Sequence, residues 1–432
     1  MVKSILEEKA YHLLSSKEEA LSHTDEKTEA ISIEKEPTEE ETKNKSTLWQ
    51  TVCNLVSDLE GTGLLGLPYV LKEGGWVALV MMTVVPFMCY YTGKILIECL
   101  YDNNNKDEKV RIRRNYRDMA EASSPKYGGI IVVAIQIVEL TLLASLYLVL
   151  CGHLIHAMVP LLSLNVWMLI SAVVGLPSIF FKHLSQVAWI SLISLIALTI
   201  AIIIVLGYGF SQSLYWDIRA IALWDIKGAP ISLAIITFSY ICHPCLPAIE
   251  ASMKDPTKFN TMLGITYTFV FMIKIVFSVM GLFTFSRNIN EVITNSLPKS
   301  KLHIIVNSFL IINVLFSYPF RVMTIIHCVE DSVVPESCRS KFHDIVWFVG
   351  IRVLINFLTL LPAIVVPHFA LMMSCVGSLT GMSVVFVLPC FFHLRLKSGE
   401  LEWYQKGLDY FLIGFGVIVA ILGLILSGRA LI

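Results

Sequence analysis

Eleven apolar runs, each long enough to cross a bilayer, leave this chain few folds to choose from. They lie at about 49–71, 76–100, 130–158, 166–182, 185–210, 229–251, 259–283, 302–327, 345–366, 368–394 and 407–428. A helix rising ~1.5 Å per residue needs roughly 20 apolar residues, and at least ~17, to span the hydrocarbon core. In lipid every backbone polar group must be satisfied within the segment, so each run is expected as one helix. Composition agrees: 55% of residues are hydrophobic, only 16% are charged, and mean hydropathy is +0.69. Soluble domains carry nearer a quarter charged residues. The expectation is an all-α integral membrane domain over residues 47–432.

Charge is concentrated in one tail and a few loops. Residues 1–46 hold twelve acids, from Glu7 to Glu41, against seven lysines, with no glycine and one proline. Low hydrophobicity with that much charge predicts a disordered acidic tail. It has no apolar stretch long enough for a signal peptide, so the tail is expected in the cytosol. Leu13 and Leu14 follow Glu7 and Glu8, which is close to an acidic dileucine signal for sorting adaptors; a short amphipathic patch reads equally well. With a cytosolic N-terminus, the loops on that side carry fifteen Lys and Arg and the opposite loops seven. That bias is the expected sign, and an odd number of spans puts the C-terminus on the far, lumenal side. The basic stretch 102–127 is expected to be partly helical, either lying at the lipid surface or solvated. The ten cysteines are scattered, most of them within apolar runs, as small buried side chains rather than a disulfide framework.

Two of the runs are interrupted. Span 1 contains "EGTGLLGLP" (60–68), with three glycines and a proline in eight residues, and span 6 contains "FSYICHPCLPAIE" (238–250), with Pro244 and Pro247. Gly and Pro also ease packing and kinking in membrane helices, so one such span would decide little. Spans 1 and 6, however, open two consecutive sets of five. Breaks at matching places in two halves point to an inverted-repeat transporter, whose unwound backbone binds substrate in a cavity.

Other stretches carry a resemblance. "YTGKILIECLY" (91–101), "VITNSLP" (292–298), "VPHFALMM" (366–373) and "GSLTGMSVVFVLPCFFHLRL" (377–396) resemble the vesicular inhibitory amino acid transporters of the amino acid/auxin permease family. The likeness runs from about residue 48 to the last span. It implies eleven transmembrane helices in a LeuT-like 5+5 inverted repeat with spans 1 and 6 broken. It also implies proton-driven loading of GABA or glycine into acidic vesicles, as in synaptic neurotransmitter transport. "GTGLLGLP" (61–68) is closer to the related proton-coupled amino acid transporters. Where the vesicular family reads Gln-Gly-Met-Phe and Ser-Tyr-Thr-Ser-Gln at its breaks, this chain has Glu60-Gly61-Thr62-Gly63 and Ser239-Tyr240-Ile241-Cys242-His243. Asn313 replaces a lysine of that family, and Arg321 is particular to this chain. These departures fall where substrate would sit, so the resemblance implies the family and leaves the amino acid open.

An ionisable side chain inside a span costs about 2.5–3.5 kcal/mol on insertion scales and is a functional candidate by default. Glu139 in span 3, with no cation near it in sequence, suits a group that loads and releases protons, since burial makes a carboxyl group hold its proton more tightly; the bland alternative is a neutral glutamate bonded between helices. Glu60 and Asp58 flank the first break, where they could meet a proton or an ammonium group or simply stay hydrated. Lys274 in span 7 needs an acidic partner or a wet cavity. His243 titrates in the useful range and lies in the second break. The candidate coupling residues are therefore Glu139, Glu60, His243 and Lys274. For substrate, Gly61, Thr62 and Gly63 are expected to meet the carboxylate, Ser239 and Tyr240 to add polar contacts, and Tyr147 to close the pocket. "CHPC" (242–245) invites a metal reading, but one Cys pair and a His lack the further ligands a site needs, and no cofactor or metal is expected.

The partners implied are a small neutral amino acid, protons and membrane lipid, with no nucleic acid. Neither a His-Glu-x-x-His nor a Gly-x-Ser-x-Gly motif occurs, so the chain is not expected to be an enzyme. The leading expectation is a proton/amino acid antiporter. Its alternatives are a proton symporter of lysosome or plasma membrane and an amino acid sensor that does not transport.

Overall fold

The computed structural model describes residues 45–103, 109–176, 184–217, 228–333 and 341–431. Almost the whole acidic tail, with Leu13 and Leu14, lies outside the described residues. From Thr47 onward the chain is nearly all helix. Thr47 starts it with a capping box: its hydroxyl accepts from the Gln50 amide, and the Gln50 side chain accepts from the Thr47 N–H at 2.9 Å.

As far as the described residues reach, every expected span falls on helix; residues 177–182, the end of span 4, lie outside them. Span 1 is split into Leu48–Leu59 and the first part of Gly63–Glu98. That 36-residue helix is really two, because Gly75 turns the chain with φ 56° and ψ −140°. Only glycine adopts this conformation without strain, so span 1 ends there and span 2 begins. Span 3 is Gly128–Met158, span 4 includes Leu164–Gly175, and span 5 is Leu184–Ser211. Span 6 is Ala229–Phe238, a broken stretch, and Leu246–Ser252; spans 7, 8 and 9 are Phe259–Phe285, Lys301–Val333 and Lys341–Val365. Span 10 runs from Phe369 to Leu396 and span 11 from Trp403 to Leu431. Among the described residues eight helices are individually long and apolar enough to cross a membrane; Leu164–Gly175 and Arg352–Val365 are shorter apolar helices.

Two features are not foreseen by periodicity. Between spans 2 and 3 the chain forms an antiparallel hairpin, β1 (Tyr101–Asn103) with β2 (Lys109–Arg111), before the short helix Tyr116–Ser123. That helix buries Tyr116, Met119, Ala120 and Ser123 and is capped by Asn115, whose side chain accepts from the Asp118 amide. It is therefore packed on the bundle by one face rather than freely solvated. In span 10, Gly377–Gly381 and Ser383–Val387 are wound as π-helix, a local widening often found at functional sites.

Lipid tails are as apolar as leucine, so spans associate through close packing rather than hydrophobic burial. Some packing partners recur at a fixed interval, while others, such as spans 5 and 8, do not. Spans 1 and 6, 2 and 7, 3 and 8, and 4 and 9 lie against each other, each pair five spans apart along the chain. Gly93 of span 2 meets Leu263 of span 7, where an added Cβ would come within 3.1 Å. Gly377 of span 10 lies so close to span 6 that a Cβ would be 2.0 Å from the Ala234 carbonyl oxygen. Large apolar side chains such as Ile130, Phe357 and Ile418 face outward. A charged cluster is buried between spans 2, 10 and 11, where Asp409 accepts from the Tyr91 hydroxyl at 2.8 Å and pairs with His393 Nδ1 at 2.7 Å.

Candidate functional site

The two interruptions meet. Residues 60–62 separate the halves of span 1, and residues 239–245 separate those of span 6, partly as a 3-10 turn at His243–Cys245. Gly63 touches Ser239: a Cβ on Gly63 would lie 3.1 Å from both Cα and Cβ of Ser239. The break in span 1 also exposes backbone. The Leu64 and Leu65 amides bond back to the carbonyls of Gly61 and Thr62, but among the described residues nothing accepts from the N–H groups of Gly61, Thr62 or Gly63. Thr62, the N-cap, makes no side-chain cap bond. Three donors at the positive end of a helix thus remain available, an arrangement that favours an anion.

Gly61, Thr62 and Gly63 line a cavity of about 520 Å³, within the ordinary range for a small-molecule site. One part of its wall is the broken backbone, Gly61–Gly63 and Phe238–Ser239. Another is apolar, with Leu140, Leu143 and Val376. The third is polar: Asn54 and Asp58 from span 1, Gln136, Glu139 and Tyr147 from span 3, and Arg321 and Thr324 from span 8. The Arg321 guanidinium lies 3.5 Å from Asp58 Oδ1, and Tyr147 lines the same wall. Glu139 lies beside them, within the field of both Arg321 and Asp58.

Apart from Tyr147, beyond the middle of span 3, the polar residues come from the start of span 1, the first half of span 3 and the last part of span 8, which together mark one end of the bundle. Ile249, near the end of span 6, is at that end too. So is the hairpin, whose Arg111 reaches Glu250 at 2.9 Å and the Pro247 carbonyl at 2.9 Å, while the Tyr101 hydroxyl donates to Glu250. The opposite end is tied. Glu291, between spans 7 and 8, accepts from the Ala370 amide at 3.0 Å and pairs with His368 at 3.3 Å. His153 Nε2 meets the Pro367 carbonyl at 2.8 Å, and Lys72 donates to the Ile289 carbonyl at 3.4 Å.

Of the residues singled out from sequence, Gly61, Thr62, Gly63, Tyr147, Ser239 and Glu139 line the cavity. Four do not. Tyr240 is fully buried behind the second break, its ring beneath the Lys274 ammonium at 4.1 Å and tilted against Tyr267. Lys274, also fully buried, donates to the Ser239 carbonyl. Glu60 turns from the cavity into the protein, with both carboxylate oxygens buried and without a hydrogen-bond partner. His243 is buried against span 2, with Nε2 2.9 Å from the Thr92 hydroxyl. The Ser239 hydroxyl is used locally, donating to the Ile236 carbonyl at 2.7 Å. Asn313 ties span 8 to span 5 through Ser194, at 2.8 Å, rather than facing the cavity.

Sequence reasoning missed Gln136, Leu140, Leu143, Asn54 and Thr324. Helical spacing carried a signal for most of them. Residues 136, 139, 140, 143 and 147 form one stripe on span 3, and 321 and 324 share a face of span 8. The two cysteines of the second break part company: Cys242 faces Tyr267 at 3.2 Å and Cys245 faces Asp58 at 3.7 Å. Among the described residues no group of three or more His, Cys, Asp or Glu is gathered as a metal site.

The family model described as "Transmembrane amino acid transporter protein" matches residues 44–427. The vesicular inhibitory amino acid transporter of Xenopus tropicalis is 35% identical over 90% of this chain and 78% of its own length. The vesicular GABA transporter of Caenorhabditis elegans is 31% identical over 89% and 79%. Among solved structures, a manganese transporter of Eremococcus coleocola aligns over 88% of this chain and 96% of its own, with 8% identity and a TM-score of 0.45.

Proposed function

The chain belongs to the transmembrane amino acid transporter family, and from that premise we propose that it exchanges lumenal protons for a small neutral amino acid by alternating access. The observation that carries the reading is the junction of the two breaks, where Gly61, Thr62 and Gly63, whose N–H groups bond to none of the described residues, line a cavity. A substrate carboxylate accepts from the amides of Gly61, Thr62 and Gly63, stabilised by the positive end of the helix that follows. Ser239 forms the adjoining wall and Tyr147 the lid, with Arg321 on the same polar wall. The polar acids Asp58 and Glu139 receive the ammonium group. The apolar strip of Leu140, Leu143 and Val376 leaves room for a short uncharged side chain. Relatives named for inhibitory amino acids and for GABA support GABA, glycine or a similar amino acid as the substrate, and a vesicle membrane as the location.

Glu139 carries the proton. Among the four coupling candidates it alone lines the cavity, so it alone meets water and substrate directly. Glu60 and Lys274 set the charge behind the first break, and His243, bonded to Thr92, fixes the second. With the N-terminus in the cytosol, the cavity end of the bundle faces the cytosol and the tied end faces the lumen. Each pH unit across the membrane then supplies about 1.36 kcal/mol per proton exchanged.

Purified protein in proteoliposomes with an acid interior tests this, with radiolabelled GABA, glycine, β-alanine and a panel of neutral amino acids. Gradient-dependent uptake is expected, and Glu139→Gln is expected to abolish it while still exchanging labelled for unlabelled substrate across vesicles without a gradient. Uptake only with acid outside would replace antiport by symport. Binding without any flux would replace transport by sensing.

A further inference from the structure

We propose that Arg321 decides which amino acids the cavity accepts: it stands where a second substrate cation would stand, so the site takes an amino acid with one ammonium group and refuses one with two. The proposal rests on the amino acid reading above and adds the residue that sets charge selection. Among the described residues lining the cavity, Asp58 and Glu139 are the carboxylates, and Arg321 is the one Lys or Arg. Arg321 of span 8 reaches Asp58 of span 1 at 3.5 Å, and both side chains are partly exposed, 23% and 34%. The pair therefore stands at the wall, within reach of a solute, rather than inside the packed bundle. Glu139 lies within the field of both charges.

The balance of charge follows from these three residues. Two carboxylates against one guanidinium leave one net negative charge on the wall when Glu139 has given up its proton. One substrate ammonium answers it, in the place of the proton exchanged. The substrate carboxylate goes to the Gly61–Gly63 amides, which are neutral groups. Behind the first break Glu60 and Lys274, both buried, are one acid and one base and leave the balance unchanged. A second ammonium, on the side chain of ornithine for example, would find no unanswered carboxylate and would meet the guanidinium at close range. Like charges so placed repel as strongly as opposite charges attract, and a built-in repulsion is how a site discriminates between ligands of one shape. Arginine suits the task, because it stays charged at any pH the two sides of the membrane present. Selection then holds while Glu139 gains and loses its proton.

Thermal unfolding of the full-length protein in detergent, titrated with amino acids, tests this, because a bound ligand raises the Tm whether or not transport follows. Two pairs of equal shape isolate the charge: diaminobutyrate against norvaline, and ornithine against norleucine, each with an ammonium where its partner has a methyl group. The wild type is expected to bind the neutral member of each pair and to discriminate against the cationic one. Arg321→Lys is expected to keep that order. Arg321→Gln is expected to move the ratio of the two affinities towards the cation by roughly 3- to 10-fold, the scale of one partly screened ion pair. Adding Asp58→Asn to it is expected to move the ratio back. An unchanged ratio in Arg321→Gln, even with weaker binding of every amino acid, would overturn the proposal and leave Arg321 as a strut between spans 1 and 8. So would a wild type that binds ornithine as tightly as norleucine, a result that needs no variant to fold. If neither these four amino acids nor glycine nor GABA raise the Tm of the wild type, the amino acid reading itself fails, and the proposal with it.

Discussion

Gly61 and Gly63 look alike in sequence, and replacing each by alanine separates two reasons for their presence. Neither has a positive φ; among the described glycines only Gly75 does. Alanine can therefore adopt both backbone conformations, and what differs is the space around them. A Cβ on Gly61 would meet only the Asp58 carbonyl oxygen, at 3.6 Å, an ordinary contact. A Cβ on Gly63 would lie 3.1 Å from two atoms of Ser239, one of them backbone, and 3.4 Å from the Phe238 ring. Backbone cannot rotate away, so spans 1 and 6 must part by a few tenths of an ångström. Overpacking a tight contact costs about 1–3 kcal/mol, and every ~1.4 kcal/mol is tenfold in an equilibrium constant. Gly63→Ala is expected to lower stability by that amount and, because the parting displaces the three amides, to weaken substrate binding by roughly 5- to 100-fold. Gly61→Ala is expected to leave stability unchanged or raise it by about 0.4–1 kcal/mol, by restricting the unfolded chain. Denaturation of the purified proteins in detergent, with radioligand binding beside it, reads both quantities. Equal destabilisation by the two substitutions would refute the close-approach argument and favour glycine as a simple helix breaker.

Two further outcomes follow from the polar clusters. Asp58→Ala, Arg321→Ala and the double variant form a cycle across the cavity; both side chains are partly exposed there, 34% and 23%, so solvent screening should hold the coupling energy to about 0.5–1.5 kcal/mol, and a value near zero would mean the 3.5 Å pair is incidental. Asp409→Ala leaves His393 and the Tyr91 hydroxyl without their common acceptor and is expected to cost about 3 kcal/mol of stability, with uptake per folded molecule unchanged; a stable variant would show that water replaces the carboxylate.

Much of this organisation was legible because lipid enforces simple rules. A broken span has to line a cavity or lie within protein, so the glycines and prolines of spans 1 and 6 revealed where the backbone opens. Glu139 was legible for the same reason, as an uncompensated acid among apolar residues. The rest depended on side-chain direction, which a break scrambles. Within an intact helix, spacing tells which residues share a face; past residue 60 or 239 it does not. Glu60 and Tyr240 thus point into the protein while their neighbours Gly61 and Ser239 face the cavity. His243, the natural candidate for proton transfer by its chemistry, is turned onto Thr92 of span 2. The Asp58–Arg321 pair joins spans far apart in sequence, and neither residue has a local signature of the other. The hairpin of Tyr101–Arg111 is only three residues per strand, too short for alternation to register.

The polar contacts at the two ends of the bundle bear on the energy a transport cycle would need. At the cavity end, the charged contacts are the screened pair of Asp58 and Arg321 and, at its edge, the closer pair of Arg111 and Glu250. At the far end, ordinary hydrogen bonds join four elements: Ala370 N–H to Glu291, His368 to Glu291, His153 to the Pro367 carbonyl, and Lys72 to the Ile289 carbonyl. A net ~0.5–1.5 kcal/mol apiece puts their sum near 4 kcal/mol. That sum is the scale of a population shift between a closed and an open far end, since moving an equilibrium from 1:99 to 99:1 takes about 5.5 kcal/mol. Protons moving down one or two pH units supply about 1.4–2.7 kcal/mol each. In the proposed cycle, substrate seated on the Gly61–Gly63 amides need contribute only the remainder. Weakening the latch by Glu291→Gln should therefore favour the open far end and slow uptake from the cavity side, without loss of the fold.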